Sequence, residues 1–170
     1  NSIQQFDAII LGIRAFNVVN ELKFKNKILF DYVKNGGNVI VQYNTTNNLV
    51  TKEIAPFELK ISRDRVTEED APVSFLSPTH PVLNQPNPIT NQDFEGWIQE
   101  RGLYFPNEWS NEFIPILAMN DKGESPSNGS LLVAKHGKGN YIYTGLSFFR
   151  ELPEGVSGAY KLLANLIALE

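Results

Sequence analysis

The first third of the chain alternates short apolar runs with polar turns. Residues 6–12 form a nearly continuous apolar run that ends at a glycine, which is typical of a strand buried on both faces of a parallel sheet. Apolar residues then recur at helical spacing over 22–33, and Gly36 with its neighbouring glycine predicts the end of that helix, with a break near Asn26. Residues 38–43 form a second apolar strand. The order strand, helix, strand predicts a right-handed βαβ unit.

The pattern changes after this unit. Six prolines interrupt short strand-like pieces over 56–88, so we expect an irregular, insertion-like segment there. Residues 90–101 carry a helix N-cap, acidic residues in the first turn and a following glycine, which predicts a helix. Two strands over 130–135 and 140–145 flank a glycine-containing loop of four residues, as in a β-hairpin. An apolar stripe over 160–167 predicts a closing helix.

Length and composition limit the classes of protein that the chain can represent. With 170 residues, of which 42% are hydrophobic, the chain is predicted to form one domain over 1–170, cut from a longer protein because it begins without methionine. The absence of cysteine excludes disulfides, thiolate metal sites and a cysteine nucleophile. The net charge of −4, with scattered basic residues, argues against a nucleic-acid partner, and no apolar run is long enough to span a membrane.

Motifs for nucleotides and metals are incomplete. Gly137 and Gly139 flank Lys138, but no third glycine follows at the spacing of a dinucleotide-binding loop. The two histidines, His80 and His136, have no second ligand at metal-binding spacing, so we predict no metal and no cofactor. Rigid residues flank His80, which makes it a candidate pocket residue; the alternatives are a residue that pins its loop, or the base of a hydrolase acting with a nearby carboxylate.

The stretch from 94 to 109 combines aromatic and charged side chains. Sugar-binding and peptide-binding sites use this combination, because aromatic rings stack on apolar faces while charged groups form hydrogen bonds. The alternative is that the rings belong to the core. Glu95 and Glu100 are a candidate carboxylate pair for glycosidic chemistry, which needs a separation that sequence spacing does not establish. The candidate ligand-binding residues here are Trp97, Glu100, Arg101, Tyr104 and Trp109.

A second group of candidates follows the predicted parallel strands. In open α/β sheets the ligand crevice lies beyond the carboxyl ends of the strands, where Arg14, Asn17, Tyr43 and Asn44 should gather. The alternative is that these residues only anchor loops. The cluster Phe149-Arg150-Glu151 has charges of alternating sign, and we interpret it as an ion pair rather than as catalytic machinery.

The order of several motifs resembles a known family. The segments 7–17 and 32–44 resemble the class I glutamine amidotransferase-like fold. The later segments, in order, resemble the C-terminal domain of bacterial LmbE-like (PIG-L family) deacetylases. The segments that carry the second resemblance are 94–97, 100–105, 137–139, 149–153 and 158–160.

This resemblance implies a fold without the reactions of its relatives. The implied architecture is a three-layer α/β/α, flavodoxin-like domain with a mostly parallel sheet and a β-hairpin. The deacetylases hold zinc with an N-terminal His-Pro-Asp-Asp motif, whereas His80-Pro81 is followed here by Val82-Leu83. The amidotransferases place a cysteine after the second strand, where this chain has Tyr43-Asn44. We therefore expect no catalysis by this chain.

The resulting expectation is a non-catalytic accessory domain of an LmbE-like N-acetylglucosaminyl-type deacetylase. Such a domain is expected to bind a carbohydrate or to mediate domain or subunit contacts, with the N-terminal deacetylase domain of the parent protein as its partner. The alternatives are a purely structural or assembly module, and the hydrolase that uses His80. The location is left open, with an extracytoplasmic (periplasmic or secreted) location slightly favoured over the cytoplasm.

Overall fold

The computed structural model describes residues 2–170, and its centre is a mixed five-stranded sheet. The two strands of the βαβ unit pair in parallel at one side of this sheet, and the strand that begins at Gly139 continues the parallel pairing. The next two pairings are antiparallel. In spatial order the strands are β1 (Ala8–Leu11), β2 (Asn38–Gln42), β9 (Gly139–Thr144), β8 (Leu131–His136) and β6 (Phe113–Pro115).

Two further pairs of antiparallel strands arise from the middle of the chain. In the first pair, β3 (Leu59–Val66) joins β5 (Gly102–Trp109), and the pairing register shifts at three places. In the second pair, β4 (Val73–Phe75) joins β7 (Leu117–Met119). The segment that contains the prolines therefore builds two small sheets rather than a purely irregular insertion.

This topology shows that the predicted fold class is wrong. The sheet is not mostly parallel, because two of its pairings and both small sheets are antiparallel. Helices account for 25% of the residues and strands for 28%, which is too little helix for a three-layer flavodoxin-like domain. The physical reason is strand pairing that local sequence signals do not specify: β6 joins β8 in antiparallel orientation, and the strands of both small sheets also pair antiparallel. The predicted hairpin of β8 and β9 is confirmed, with a turn at Gly137 and Lys138 that is shorter than predicted.

The described residues contain four α-helices, and two of the three predicted ones are confirmed. The helix after β1 runs without a break through Asn26, and Gly36, at φ +119°, follows its end. The closing helix is also present. The bounds are α1 (Ala15–Val18), α2 (Leu22–Lys34), α3 (Phe148–Glu151) and α4 (Ser157–Ile167).

The prediction of a helix over 90–101 is wrong. Only a 3-10 turn, Asn91–Phe94, forms there. The Asp93 carboxylate accepts hydrogen bonds from the backbone N–H and hydroxyl of Thr90, as expected for a helix start. Gly96 and Gln99 then adopt left-handed backbone conformations at φ +71° and +64°, and each of these conformations ends α-helical propagation.

The core lies on both faces of the five-stranded sheet. Alternate residues of β2 point to opposite faces, so Ile40 belongs to one apolar cluster while Val39 and Val41 belong to the other. The Ile40 cluster includes Leu162 and Leu166 of α4, and the second cluster includes residues of α2. The prediction that β1 is buried on both faces is wrong: β1 is an edge strand, and Ile10 is 42% exposed.

Candidate functional site

The carboxyl ends of β1, β2 and β9 meet at one edge of the sheet, because these three neighbouring strands run in parallel. The loop after β1 is tied to the end of β2 by a hydrogen bond from the Arg14 backbone N–H to the carbonyl of Tyr43, with an N···O distance of 2.7 Å. Arg14 adopts a left-handed conformation at φ +59°, and its side chain is exposed. The residues that sequence reasoning placed beyond these strands therefore do gather.

Two asparagines hold this edge together. The buried Asn44 side chain accepts from the Phe16 backbone N–H at 2.8 Å and donates to the Gln42 carbonyl at 3.0 Å. The Asn17 side chain accepts from the Thr45 N–H and donates to two carbonyl groups of the loop after β2. These contacts match loop anchoring, the alternative that the sequence left open for both residues. They fix the position of Tyr43 by immobilising the chain on either side of it.

An aromatic cluster covers the end of β2. The rings of Tyr43 and Tyr104 stack with centroids 5.8 Å apart and planes at 12°, and the Phe149 ring lies 5.4 Å from Tyr43. Tyr43 is almost fully buried, whereas Tyr104 and Phe149 are half-buried. Tyr104 is in a left-handed conformation at φ +52°, which interrupts the regular alternation of β5. We call Tyr43, Tyr104 and Phe149 the aromatic shelf.

The strand β5 comes close to the main sheet at a pair of glycines. A Cβ atom on Gly102 would lie 2.3 Å from the carbonyl oxygen of Gly145, so only glycine fits there. The Leu103 N–H also donates to this carbonyl, with an N···O distance of 2.9 Å. This close approach brings Tyr104, the next residue, over the end of β2.

An ion pair borders the aromatic shelf. The Nε atom of Arg150 lies 2.7 Å from Oε1 of Glu100, and the side chains are 36% and 15% exposed. The Arg150 guanidinium also lies over the Phe149 ring, with Cζ 4.9 Å from the centroid. Arg150 is therefore held in one orientation by a charged partner and by a ring.

Charges around the shelf act on the Tyr43 phenol. Burial raises the pKa of Tyr43, the positive charges of Arg14 and Arg150 oppose this increase, and Glu100 adds to it. Because the net direction is upward, the phenol remains protonated at neutral pH and can donate a hydrogen bond. Charged residues from three separate segments thus act on the same phenol.

A buried carboxylate lies behind the ion pair. Glu151 has no exposed surface; its Oε2 accepts from the Ile98 backbone N–H at 3.0 Å, and its Oε1 has no hydrogen-bond partner among the described residues. Burial raises the pKa of Glu151, while Arg101 and Arg150 act in the opposite direction. Because it is fully enclosed, Glu151 supports the segment at 98–101 rather than facing a ligand.

The structure places Trp97 and Arg101 away from the aromatic shelf and in the core. The Arg101 guanidinium donates to the carbonyls of Ala71 and Phe94, and burial lowers the pKa of Arg101. The Trp97 indole N–H donates to the Asp93 carbonyl at 2.9 Å. Both side chains border a shallow depression of about 440 Å³, but all hydrogen-bonding nitrogens of Arg101 are already engaged by the protein.

His80 and Trp109 are also separate from the shelf. Nδ1 of His80 accepts from the Val82 N–H at 3.2 Å and begins a 3-10 turn, which matches the loop-pinning alternative. Burial lowers the pKa of His80, and none of the ion pairs within residues 2–170 includes it. Trp109 lies at the far end of β5, opposite Leu59, and packs against the core cluster on the α2 side.

Three further observations concern the described residues. Residues 2–170 contain no group of three or more His, Asp or Glu side chains arranged to hold a metal ion. No helix within this range is both long and apolar enough to cross a membrane. A cavity of about 640 Å³ lies at the amino ends of β1, β2 and β9, opposite the aromatic shelf. None of the candidate ligand-binding residues predicted from the sequence lines this cavity.

Sequence reasoning missed two contributors to the site, Phe149 and Arg150. The sequence interpretation assigns them only to an ion pair within the cluster 149–151, whereas Arg150 pairs with Glu100. The signal that could have identified them is their position shortly after β9, since the rule that placed Arg14 and Tyr43 applies equally to a third parallel strand. That strand had been predicted only as one half of a hairpin.

Comparisons with known proteins show similarity of fold. No family model matches the chain, and no curated protein matches it. Two solved structures from Salmonella typhimurium, the cytoplasmic proteins STM3548 and STM1381, superpose with TM-scores of 0.61 and 0.60 at 16% and 12% identity. Each superposition covers 97% of this chain and 72% of the Salmonella protein.

The same fold recurs as a minor part of larger enzymes. β-Galactosidases from Rahnella sp. R3 and Bacillus circulans match with TM-scores of 0.52 and 0.55 at 13% and 9% identity. This chain is covered almost completely, at 100% and 98%, but it spans only 24% and 23% of those enzymes. At such low identity the similarity defines a shared mixed α/β fold. The description of the Salmonella proteins as cytoplasmic applies to those proteins, and it lends no support to the extracytoplasmic location favoured from the sequence.

Proposed function

We propose that this chain is a non-catalytic binding domain that holds a carbohydrate against the aromatic shelf. The supporting observation is that Arg14 and Tyr104 both adopt left-handed conformations, although neither is glycine, and both are positioned at Tyr43. Such a conformation costs roughly 1–2 kcal/mol per residue. Strain of this kind concentrates at functional sites, where the side chain that is retained serves a purpose beyond folding.

The chemistry of the shelf suits a sugar ring. The apolar face of a pyranose packs on an aromatic ring, and Tyr104 offers a half-buried ring that is already fixed by stacking on Tyr43. Hydroxyl groups at the edge of the sugar need hydrogen-bonding partners, which the Tyr43 phenol and the guanidinium groups of Arg14 and Arg150 can supply. A fixed ring and fixed donors reduce the ordering cost of binding.

Binding rather than catalysis is the better assignment for these residues. The carboxylate at the rim, Glu100, is already paired with Arg150, so it is a poor general acid or base. The raised pKa of Tyr43 keeps its phenol protonated at neutral pH, which disfavours a role as a base. The assignment of the domain to an LmbE-like deacetylase, with the deacetylase domain as its partner, rests on the sequence resemblance alone.

Calorimetric titration with chitotetraose, a neutral tetrasaccharide of N-acetylglucosamine, tests this proposal. We expect saturable binding that is weakened about 5- to 30-fold in Tyr104→Ala, since loss of one aromatic stacking platform costs about 1–2 kcal/mol. Tyr160→Ala is a matched control, because Tyr160 is 51% exposed on α4 and lies outside the shelf. Absence of binding, or equal affinity of the wild type and Tyr104→Ala, would contradict the proposal.

A contact role for the domain has its own supporting observation. Phe24 is 79% exposed and Ile28 is 50% exposed, and they lie one turn apart on the same face of α2. Val18, at the end of α1, is 62% exposed. Exposed apolar side chains in proximity mark surfaces that contact other proteins. Light scattering tests self-association: a dimer that dissociates in Phe24→Ser supports it, and a monomer at high concentration contradicts it for a second copy of this chain.

A further inference from the structure

The charged groups around the aromatic shelf do not balance. Arg14 and Arg150 each carry one positive charge, and Glu100 carries one negative charge, all acting on the Tyr43 phenol. Among these three groups there is an excess of one positive charge, although the whole chain has a net charge of −4. The buried Glu151 carboxylate interacts with Arg150, but it interacts with the buried Arg101 as well. A locally positive site in a protein of negative net charge does not follow from the overall composition. Its positive charge favours ligands that carry negative charge.

The guanidinium of Arg150 is preorganised for an anion. Its Nε is engaged by Glu100 and its plane is supported by Phe149, so the group cannot rotate freely. Within residues 2–170, neither of its two terminal nitrogens forms a hydrogen bond. These two nitrogens form a planar fork that matches the two oxygens of a carboxylate. Glu100 and Phe149 thus fix the orientation of the Arg150 guanidinium, and its two terminal nitrogens remain able to bind a carboxylate.

Arg14 provides the second positive charge at a structural cost. Its backbone is left-handed, a conformation that glycine adopts without strain, yet the position holds a long cationic side chain. None of the hydrogen bonds or ion pairs within the described range engages this guanidinium. The folded domain therefore gains nothing visible from Arg14 beyond its charge beside Tyr43.

We infer that the site recognises an acidic sugar, in which the ring packs on Tyr104 and a carboxylate binds between Arg14 and Arg150. This inference rests on the proposed carbohydrate function and specifies its ligand class. A uronic acid residue fits because it carries a single negative charge, which equals the positive excess of the site. A neutral sugar such as chitotetraose can still pack on Tyr104 but leaves the positive charge unmatched, so it should bind more weakly than the acid.

A pair of ligands that differ only in charge tests the inference. Calorimetry on the full chain compares a hyaluronan tetrasaccharide, which carries glucuronate carboxylates, with its neutral methyl ester. We expect the acid to bind about tenfold tighter or more, as for one charge-assisted bidentate contact. Equal affinities would overturn the acidic specificity and leave the carbohydrate function intact. Absence of binding by the acid, the ester and chitotetraose would overturn both.

Variants separate charge from stacking. In Arg14→Ala we expect the preference for the acid over the ester to fall at least about threefold, while the affinity for the ester stays the same. In Tyr104→Ala both ligands should weaken together. An unchanged preference in both Arg14→Ala and Arg150→Gln would overturn the inference. Inorganic phosphate is a further arm: if it displaces the acid at equal concentration, the site binds anions in general and the sugar assignment is overturned.

Discussion

The ring of Tyr104 lies nearly parallel to the ring of Tyr43 at a centroid distance of 5.8 Å, although the two residues are positioned by different sheets. Tyr43 follows β2 of the five-stranded sheet, and Tyr104 lies within β5 of the first small sheet. Their contact joins the two sheets at the carboxyl ends of the parallel strands. Aromatic pairs of this kind contribute about 0.5–1.5 kcal/mol beyond area burial, so the shelf is a modest stabiliser as well as a candidate binding surface.

The strained backbone at Arg14 predicts that a glycine at this position stabilises the domain. Arg14→Gly should stabilise the domain by about 0.5–1 kcal/mol, because glycine adopts φ +59° without a Cβ clash and the lost side chain makes no contact that stabilises the fold. Arg14→Ala, which removes the side chain but keeps the strain, is the matched control and should unfold like the wild type. Urea denaturation measures both. A glycine variant less stable than the alanine variant would show that the backbone at this position is not strained.

Arg101 should act on stability rather than on ligand binding. Arg101→Met leaves the buried carbonyls of Ala71 and Phe94 without donors, so we expect a loss of about 3 kcal/mol in the free energy of unfolding. Arg63→Met is the control, since Arg63 is exposed on β3, and it should change stability by less than about 0.5 kcal/mol. Chemical denaturation gives both values. Equal stability of the two variants is the outcome that contradicts a structural role for Arg101.

The raised pKa of Glu151 predicts a pH-dependent effect on stability. The folded protein binds the Glu151 proton more tightly than the unfolded chain does, so the group favours folding at low pH and this contribution is lost as pH rises through the folded pKa. Glu151→Gln removes the buried charge and should stabilise the domain by about 1 kcal/mol at neutral pH. The advantage should disappear near pH 4, where both forms are uncharged.

Thermal unfolding at several pH values tests this expectation for Glu151. Glu154→Gln, at an exposed position, controls for the general change in net charge. If Glu151→Gln is less stable than the wild type at every pH, then the carboxylate is ionised in the folded state and held by Arg101 and Arg150.

The elements that sequence predicted correctly depend on local signals. The helix α2 has an apolar stripe and a glycine stop, and the hairpin of β8 and β9 has a glycine turn, so each is specified by neighbouring residues. The pairing of β3 with β5 is non-local and includes register shifts, and no periodicity in either segment indicates its partner. The helix expected over 90–101 had local support, but the left-handed Gln99 conformation depends on tertiary contacts, including the hydrogen bond from its N–H to Glu69.

The candidate site, like the fold, was predictable only where local sequence signals determine it. The rule for strand ends placed Arg14 and Tyr43 together, because it needs only the positions of parallel strands. The aromatic stretch was recognised as unusual, but sequence could not separate its members: Phe105 and Trp97 enter the core, whereas Tyr104 turns towards Tyr43. Tyr104 differs from the other aromatic residues because its backbone is left-handed. Tertiary packing, rather than residue type, determines this backbone conformation.

The central claim is that a carbohydrate binds at the aromatic shelf, and a chemical-shift map tests it most directly. Chitotetraose is titrated into isotopically labelled protein, and the perturbed amide and side-chain resonances are assigned. The account predicts that the largest shifts cluster at Arg14, Tyr43, Tyr104 and Phe149, at the carboxyl ends of the parallel strands. Shifts centred on the opposite cavity, around Asn38, or no saturable shifts at all, would contradict it.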